Sequence, residues 1–252
     1  MKKILSSLVG LVIILAAGSG VLAAQTGRGR QVSTPPFPQP PEKDLQKIVF
    51  IRYVPGFGKE KPCDYDGVCD EDEKGWCSDC KGGEEPTPTP DKSACYDFLQ
   101  GSKPRWNWVE DYYYDVYLGE VSSWATSIWE KPVSREIFGS GQPGSYQWGV
   151  YDSINSVSYG DYEEEGVLAV TAIWFRGKDI FEYDIMLDTD YFPEGEFDLG
   201  TVTLHEFGHA AGLGDLYNVV CQDEVMYGYL APGETREILG PGDTIGIRTL
   251  YQ

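Results

Sequence analysis

The sequence predicts a domain of the α+β class, a mixture of strands and helices, over residues 93–252. Segments with strand composition and segments with helical periodicity follow one another along this stretch, and turn residues separate them. The whole chain is 41% apolar and 13% aromatic. This composition provides enough material for a core and excludes wholesale disorder.

Five segments are predicted strands because they are rich in branched and aromatic residues or alternate between apolar and polar positions. They are residues 48–54, 106–118, 154–159, 167–175 and 180–187. The last of them alternates, with Phe181, Tyr183, Ile185 and Leu187 on one face.

Three segments have the periodicity of amphipathic helices. They are residues 120–129, 202–211 and 243–251. Asp198 or Thr201 can cap the start of the second helix, because their side-chain oxygens accept from free backbone N–H groups. Gly212 and Gly214 are expected to end it.

Residues 1–23 have the pattern of a secretory signal peptide. Lys2 and Lys3 precede an apolar stretch, and small residues near Ala23 and Ala24 fit a cleavage site. We therefore expect a secreted, extracellular protein with no membrane contact after cleavage. An uncleaved membrane anchor is the alternative, since the run to Ala24 can span a bilayer.

Two proline-rich segments divide the region before the main domain. Residues 24–62 form a spacer that contains the first predicted strand, and they are either a pro-region or part of the main domain. Residues 82–92 form a Pro/Thr linker. Between them, residues 63–81 form a cysteine-rich, acidic insert.

Four acidic residues of this insert surround a glycine with the spacing D-x-D-G-x-x-D-x-D. They are Asp64, Asp66, Asp70 and Asp72. Oxygen ligands at alternate positions suit Ca²⁺, so these residues are candidate calcium ligands. The glutamate that closes an EF-hand loop is missing, which excludes that motif. An acidic, disulfide-bonded knob without metal is the alternative.

Six cysteines, an even number in a chain expected to be exported, indicate disulfides. Four of them lie in the insert, so the simplest pairing closes that cluster on itself and joins Cys95 to Cys221. A four-cysteine zinc site in the insert is the alternative.

The chain is strongly acidic. Forty acidic and 20 basic side chains give a formal net charge of −20. This charge repels phosphate backbones, so we do not expect nucleic acid as a partner. We expect a monomer.

The strongest motif is His205-Glu206-Phe207-Gly208-His209 in the second predicted helix. Residues four apart lie one turn above each other, so both imidazoles can reach one metal ion. Glu206 can then take a proton from a water that the metal activates. The chain has only two histidines, so any histidine chemistry uses this pair.

A catalytic zinc ion needs a third protein ligand. Gly212 lets the backbone turn sharply after the helix, which can bring Asp215 back beneath the metal. Asp223 and Glu224 are the alternative third ligands, on a later segment.

The run His205-Glu206-x-x-His209-x-x-Gly212-x-x-Asp215 resembles the extended zinc signature of the metzincin peptidases. Asp replaces the usual third His, a variant similar to that of the snapalysin-type members. Val225-Met226-Tyr227-Gly228 resembles the Met-turn of this family, in which Met226 would lie beneath the zinc without ligating it. The closest likeness is to matrixin-like secreted peptidases of prokaryotes, over about residues 93–252.

The resemblance implies a zincin fold: a twisted, mostly parallel sheet with an active-site helix, a Met-turn and a closing C-terminal helix. It implies a zinc metalloendopeptidase in which His205, His209 and Asp215 hold Zn²⁺ and Glu206 is the general base. Protein or peptide substrates would pair with an exposed sheet edge. The cysteine-switch sequence of matrixin propeptides is missing, so the means of latency stays open.

Two other functions remain open at this point. One is an extracellular, calcium-dependent binding or adhesion module with a catalytically idle zinc site. The other is a metal-dependent hydrolase that acts on a non-peptide amide.

Overall fold

Strands and helices follow one another through the part of the chain that the computed structural model describes, residues 39–54, 95–99 and 103–252. Within these residues there are six strands and three α-helices. The strands are β1 (Gln46–Tyr53), β2 (Tyr112–Tyr114), β3 (Gly141–Pro143), β4 (Asn155–Gly160), β5 (Val167–Arg176) and β6 (Asp179–Asp188). The helices are α1 (Gly119–Glu130), α2 (Leu199–Ala210) and α3 (Pro241–Tyr251).

All six described strands belong to one sheet with the order β1-β5-β6-β4-β2-β3. The four strands from β6 to β3 are mutually parallel. Strand β5 runs antiparallel to β6, and β1 runs antiparallel to β5. The predicted mixed α+β class and mostly parallel sheet are therefore confirmed.

Strands β5 and β6 form the centre of the packing, because nearly every residue in both is buried. Tyr183 and Ile185 point into the main core, as their alternation predicts. The intervening polar residues Glu182 and Asp184 are buried as well, so β6 is covered on both faces. A smaller cluster that contains Val170 packs on the second face.

Helix α2 is the most deeply enclosed helix, with every residue from Thr201 to Ala210 buried. Asp198 caps its start by accepting a 2.7 Å hydrogen bond from the backbone N–H of Thr201, which confirms one of the two predicted caps. Gly212 follows its end with φ of +107°, where a Cβ would lie 2.4 Å from the carbonyl oxygen of Pro104. Only glycine fits this turn.

The long strand predicted over residues 106–118 is wrong except at Tyr112–Tyr114. The aromatic residues that suggested it anchor other elements instead. Trp106 donates from Nε1 to the carbonyl oxygen of Ala210, and its ring is fully buried. Large aromatic side chains thus pack against α2 from a segment with irregular backbone. The amino-acid composition of such a segment is the same as that of a β-strand, so composition alone predicts a strand here.

Cys95 and Cys221 form a disulfide, as predicted. The bond joins the start of the main domain to the segment between α2 and α3. Since the Cys95 thiol is used in this way, it is not available as a metal ligand.

Several predictions fall on residues outside the described ranges. They concern the signal peptide at 1–23, most of the spacer at 24–62, the insert at 63–81 with Asp64, Asp66, Asp70 and Asp72, and the linker at 82–92. Among the described residues, no helix combines the length and apolarity needed to cross a bilayer.

Candidate metal centre

His205 and His209 lie one turn apart on the buried helix α2, and each is 1% exposed. Nδ1 of His205 lies 2.8 Å from the carbonyl oxygen of Val225, and Nδ1 of His209 lies 3.0 Å from that of Leu213. A carbonyl oxygen can only accept, so in both rings Nδ1 carries the hydrogen. The lone pair of each neutral ring is therefore on Nε2, the atom that would bind a metal.

Asp215 brings a carboxylate to the same point. Its Oδ1 lies 3.1 Å from Nε2 of His205 and 3.4 Å from Nε2 of His209. The ligand atoms of the three residues all lie within 4.8 Å of one another, so they form a group that could bind a metal ion. It is the only such group of histidine, cysteine and acidic residues in the described part of the chain.

The alternative third ligands do not join this group. Asp223 is exposed. Glu224 is 1% exposed, but its Oε2 accepts from the backbone N–H of Asp243 at the start of α3. Of the three candidates, the structure brings only Asp215 to the two histidines.

The donor atoms fit a divalent cation. Nε2 of His205 is buried and makes no aligned hydrogen bond to any described residue, despite its 3.1 Å approach to Asp215. A buried polar atom in this state needs a partner, and a divalent cation held by His205, His209 and Asp215 would provide one. Two imidazole nitrogens and one carboxylate oxygen are a ligand set that zinc accepts.

The protonation states follow from burial and from neighbouring charge. Burial, with a smaller contribution from the Arg52 charge, lowers the pKa of His205 to about 3. Burial alone would raise the pKa of Asp215, but the two histidines outweigh it and hold that pKa below its usual range. The neutral ring of His205 and the ionised Asp215 are the forms that metal ligation requires.

The pKa of His209 moves the other way. Burial lowers it, but the nearby Asp215 carboxylate outweighs burial and raises it overall.

Asp215 is held by its own loop and by Tyr217, whose hydroxyl donates to Oδ2 of Asp215 over 3.1 Å. Leu216 donates to the carbonyl oxygen of Met226 and accepts from the N–H of Gly228. The ring of Tyr217 packs so closely on Gly228 that a Cβ there would lie 2.5 Å from it. Tyr217 was not among the predicted site residues, and its position two residues after a predicted ligand was the available signal.

Met226 is 2% exposed and lies against α2. A Cβ on Gly208, between the two histidines, would lie 2.2 Å from the Met226 sulfur. The turn around Met226 is fixed by Asp243, whose carboxylate accepts from the N–H groups of Val225 and Met226 at 2.7 and 3.1 Å. Met226 thus packs against the helix that carries the histidines.

Glu206 is fully buried and is held from the sheet. Thr171 of β5 donates from Oγ1 to Oε2 of Glu206 over 2.5 Å, whereas Oε1 has no hydrogen-bond partner among the described residues. Burial raises the pKa of Glu206 above its usual value. A carboxylate with a raised pKa and a free oxygen can accept a proton.

Two residues of β1 also lie at the site, and neither was predicted from the sequence. The ring of Phe50 stacks on His209 with centroids 3.8 Å apart and planes at 10°. Arg52 is 3% exposed, and its Nη2 donates to the carbonyl oxygen of Tyr227 over 3.4 Å. The available signal was a single arginine inside an apolar strand, which is rarely buried without a reason.

No protein-family model matches the chain, and no curated protein is significantly similar to it. The case for a function therefore rests on the geometry of these residues.

Proposed function

We propose that this protein is a secreted zinc-dependent endopeptidase of the metzincin type. The observation that carries the proposal is the convergence of His205, His209 and Asp215, with ligand atoms within 4.8 Å of one another. Glu206 follows the first of these residues directly on α2. Its free Oε1 is available as a base beside the same group.

The chemistry divides between the metal and the chain. A Zn²⁺ ion held by His205, His209 and Asp215 would act as a Lewis acid that lowers the pKa of a water molecule and polarises a peptide carbonyl. Glu206 would accept the proton of that water and pass it to the leaving amine. The hydrogen bond from Thr171 keeps Oε2 occupied, which leaves Oε1 for this transfer.

The geometry supports ligation because the two Nδ1–H groups are bonded to carbonyl oxygens of Val225 and Leu213. Such bonds fix the orientation of each ring and direct Nε2 towards Asp215. Met226 packs against Gly208 of the same helix, and the Cys95–Cys221 disulfide ties the segment that precedes Met226.

The test measures zinc content and casein cleavage for the purified protein and for Glu206→Gln, before and after trimming of the N-terminal region by a second protease. We expect about one zinc per chain in both, and a loss of cleavage of about 10²- to 10⁴-fold in the variant. Glu110→Gln is the matched control, because Glu110 is another buried carboxylate that lies outside the metal group. It should leave cleavage intact.

Two results contradict the proposal. If both proteins bind zinc and neither cleaves casein after trimming, a binding module with an idle zinc site becomes the better account. If casein survives but small non-peptide amides are hydrolysed, the reaction class is right and the substrate class is wrong.

A further inference from the structure

Strand β1 lies along the outer edge of β5, directly beside the candidate metal centre. The pairing is antiparallel and runs from Gln46 opposite Phe175 to Tyr53 opposite Val167. Phe50 lies opposite Thr171, the residue that donates to Glu206. Opposite residues of an antiparallel pair point to the same face, so Phe50 and its alternate neighbour Arg52 face the metal centre.

Both of these side chains lie against residues of the candidate metal centre or close to their charges. The Phe50 ring covers the face of the His209 imidazole at 3.8 Å. Arg52 places a buried positive charge near the carboxylates of Glu206 and Asp215. Its Nε and Nη1 atoms have no hydrogen-bond partner in the described residues. A buried guanidinium in this state is costly, so Arg52 is poorly satisfied where it lies.

With β1 in place, the reactive atoms are closed off. Nε2 of His205 and Oε1 of Glu206 are both buried, and the Asp215 side chain is 12% exposed. A peptide substrate has to bring its carbonyl group to these atoms. In the described conformation Phe50 stacks on His209 and the buried Arg52 lies beside it, on the side of the site that faces the β5 edge.

Strand β1 is also the least embedded of the long strands. Arg52 is its only buried residue, whereas β5 is buried along almost its whole length. Backbone pairing with β5 thus holds β1 more than side-chain packing does, as in an added peptide strand. The main domain keeps its own anchor at the Cys95–Cys221 disulfide, so the departure of β1 leaves that anchor in place.

We propose that β1 is an autoinhibitory strand: the edge of β5 is the docking surface for one extended peptide segment, and residues 46–53 of the same chain occupy it. The part of this inference that concerns latency rests on the proposed peptidase function. The part that concerns coverage of the site does not.

The two histidines allow coverage to be measured without any activity, because they are the only ones in the chain. The full-length protein, freed of metal with a chelator, is treated with diethyl pyrocarbonate, and modification of the α2 histidines is followed by mass spectrometry. Reactivity reports the population of molecules in which the site is open.

The main variant is Val49→Pro with Phe50→Pro. In an edge strand, the backbone N–H groups of every second residue donate to the neighbouring strand. One of two adjacent prolines therefore removes a hydrogen bond between β1 and β5. Val49→Ala is the matched control, since it keeps the backbone N–H and its side chain is on the face away from Phe50. We expect the histidines of the proline variant to react at least about tenfold faster than those of the parent or control. Casein cleavage should rise in parallel.

A second arm covers the case in which the proline variant does not fold. Phe50→Ala with Arg52→Ala keeps every ladder N–H but removes both contacts with the site, and it should also speed modification. A synthetic peptide of residues 46–54, added in excess, should restore protection. The same peptide with alanine at both positions should restore less.

The outcomes separate the two proposals. Equal histidine reactivity in the parent and in the folded variants overturns autoinhibition by β1. If the histidines of the variants react faster but parent and variants cleave casein equally well, β1 covers the site without making the protein latent. Faster reactivity with no cleavage in any chain upholds coverage of the site by β1 and counts against the peptidase function instead.

Discussion

Thr171 donates a hydrogen bond of 2.5 Å to Glu206, although the two residues are 35 positions apart in the sequence. Thr171 lies in the middle of β5 and Glu206 on α2, and both are fully buried. The bond links the sheet to helix α2 at the carboxylate that serves as the base in the proposed mechanism. It sets which of the two Glu206 oxygens stays free.

We predict that Thr171→Val reduces kcat by about 10- to 100-fold, since hydrogen bonds to charged groups contribute about 1.5–3 kcal/mol. KM should change little, because Thr171 acts through Glu206 and not on the substrate. Steady-state kinetics over a range of pH, on protein with β1 displaced, measure both parameters.

Thr203→Val is the matched control for this prediction. Thr203 is a buried threonine of α2 whose hydroxyl has no hydrogen-bond partner in the described residues. Its replacement should leave kcat unchanged. Equal losses in the two variants would show that Thr171 matters for packing and not for the position of Glu206.

We predict that Tyr217→Phe weakens zinc binding by about tenfold, at the lower end of the effect of residues that orient a ligand. The variant loses the hydrogen bond to Oδ2 of Asp215 but keeps the ring on Gly228. Competition with a chromogenic chelator gives the Kd. Tyr117→Phe serves as the control, because Tyr117 is 88% exposed and should not affect zinc affinity.

We predict that Gly208→Ala lowers the free energy of unfolding by about 1–3 kcal/mol, the usual cost of overpacking a core. The added Cβ would lie 2.2 Å from the Met226 sulfur and 2.7 Å from the Trp129 ring. Better helix propensity of alanine offsets about 1 kcal/mol of the loss. Urea unfolding at fixed zinc concentration measures the change.

The comparison for this variant is Gly242→Ala. There the Cβ would lie 1.8 Å from the backbone carbonyl oxygen of Cys95, which cannot rotate away as a methionine can. Gly242→Ala should therefore be the more damaging of the two. A Gly208→Ala variant as stable as the parent would contradict the packing of Met226 against α2, and a harmless Gly242→Ala would contradict the close approach of Gly242 to Cys95.

We predict that the stability of the protein falls as pH rises from mildly acidic to alkaline values. Burial raises the pKa of Glu182 from 4.5 to about 9 and that of Asp184 from 3.8 to about 7. Between the unfolded and folded pKa values the folded state holds more protons, so ionisation disfavours folding in that window. Each group contributes a slope of at most about 1.4 kcal/mol per pH unit.

Replacing Glu182 tests whether this residue is a source of the pH dependence. Asp184 and Asp152 raise its pKa, whereas Lys47 lowers that of Asp184. Glu182→Gln should flatten the dependence of the urea midpoint on pH between about 5 and about 9. If the variant and the parent show the same slope, Glu182 is not the source of the effect.

The sequence predicted β4, β5 and β6 to within one residue at each end. Residues 167–175 were recognised by a nearly continuous apolar run, as burial on both faces requires, and residues 180–187 by alternation. Residues 106–118 misled the prediction because their aromatic side chains pack individually. Trp106 is bonded to the carbonyl oxygen of Ala210 and not to a neighbouring strand.

The candidate site divides in the same way. The group of His205, His209 and Asp215 follows from local chain geometry, namely one helical turn and one glycine turn, and the sequence was sufficient to bring it together. Phe50 and Arg52 lie at the site because β1 pairs with β5, and the paired residues are more than one hundred positions apart in the sequence. Nothing local in the sequence specifies such a pairing, since an edge strand can pair wherever its register and faces fit.

The Cys95–Cys221 disulfide determines what a single cut in the backbone does to this protein. The bond closes a covalent ring that contains β2 to β6, both α1 and α2, and all three proposed ligands. One broken peptide bond inside the ring leaves a single molecule, so His205, His209 and Asp215 are never parted by a lone nick. A denaturing gel run without reductant would show such a nicked chain as intact, whereas a cut just after β1 would leave that strand held only by its non-covalent pairing with β5.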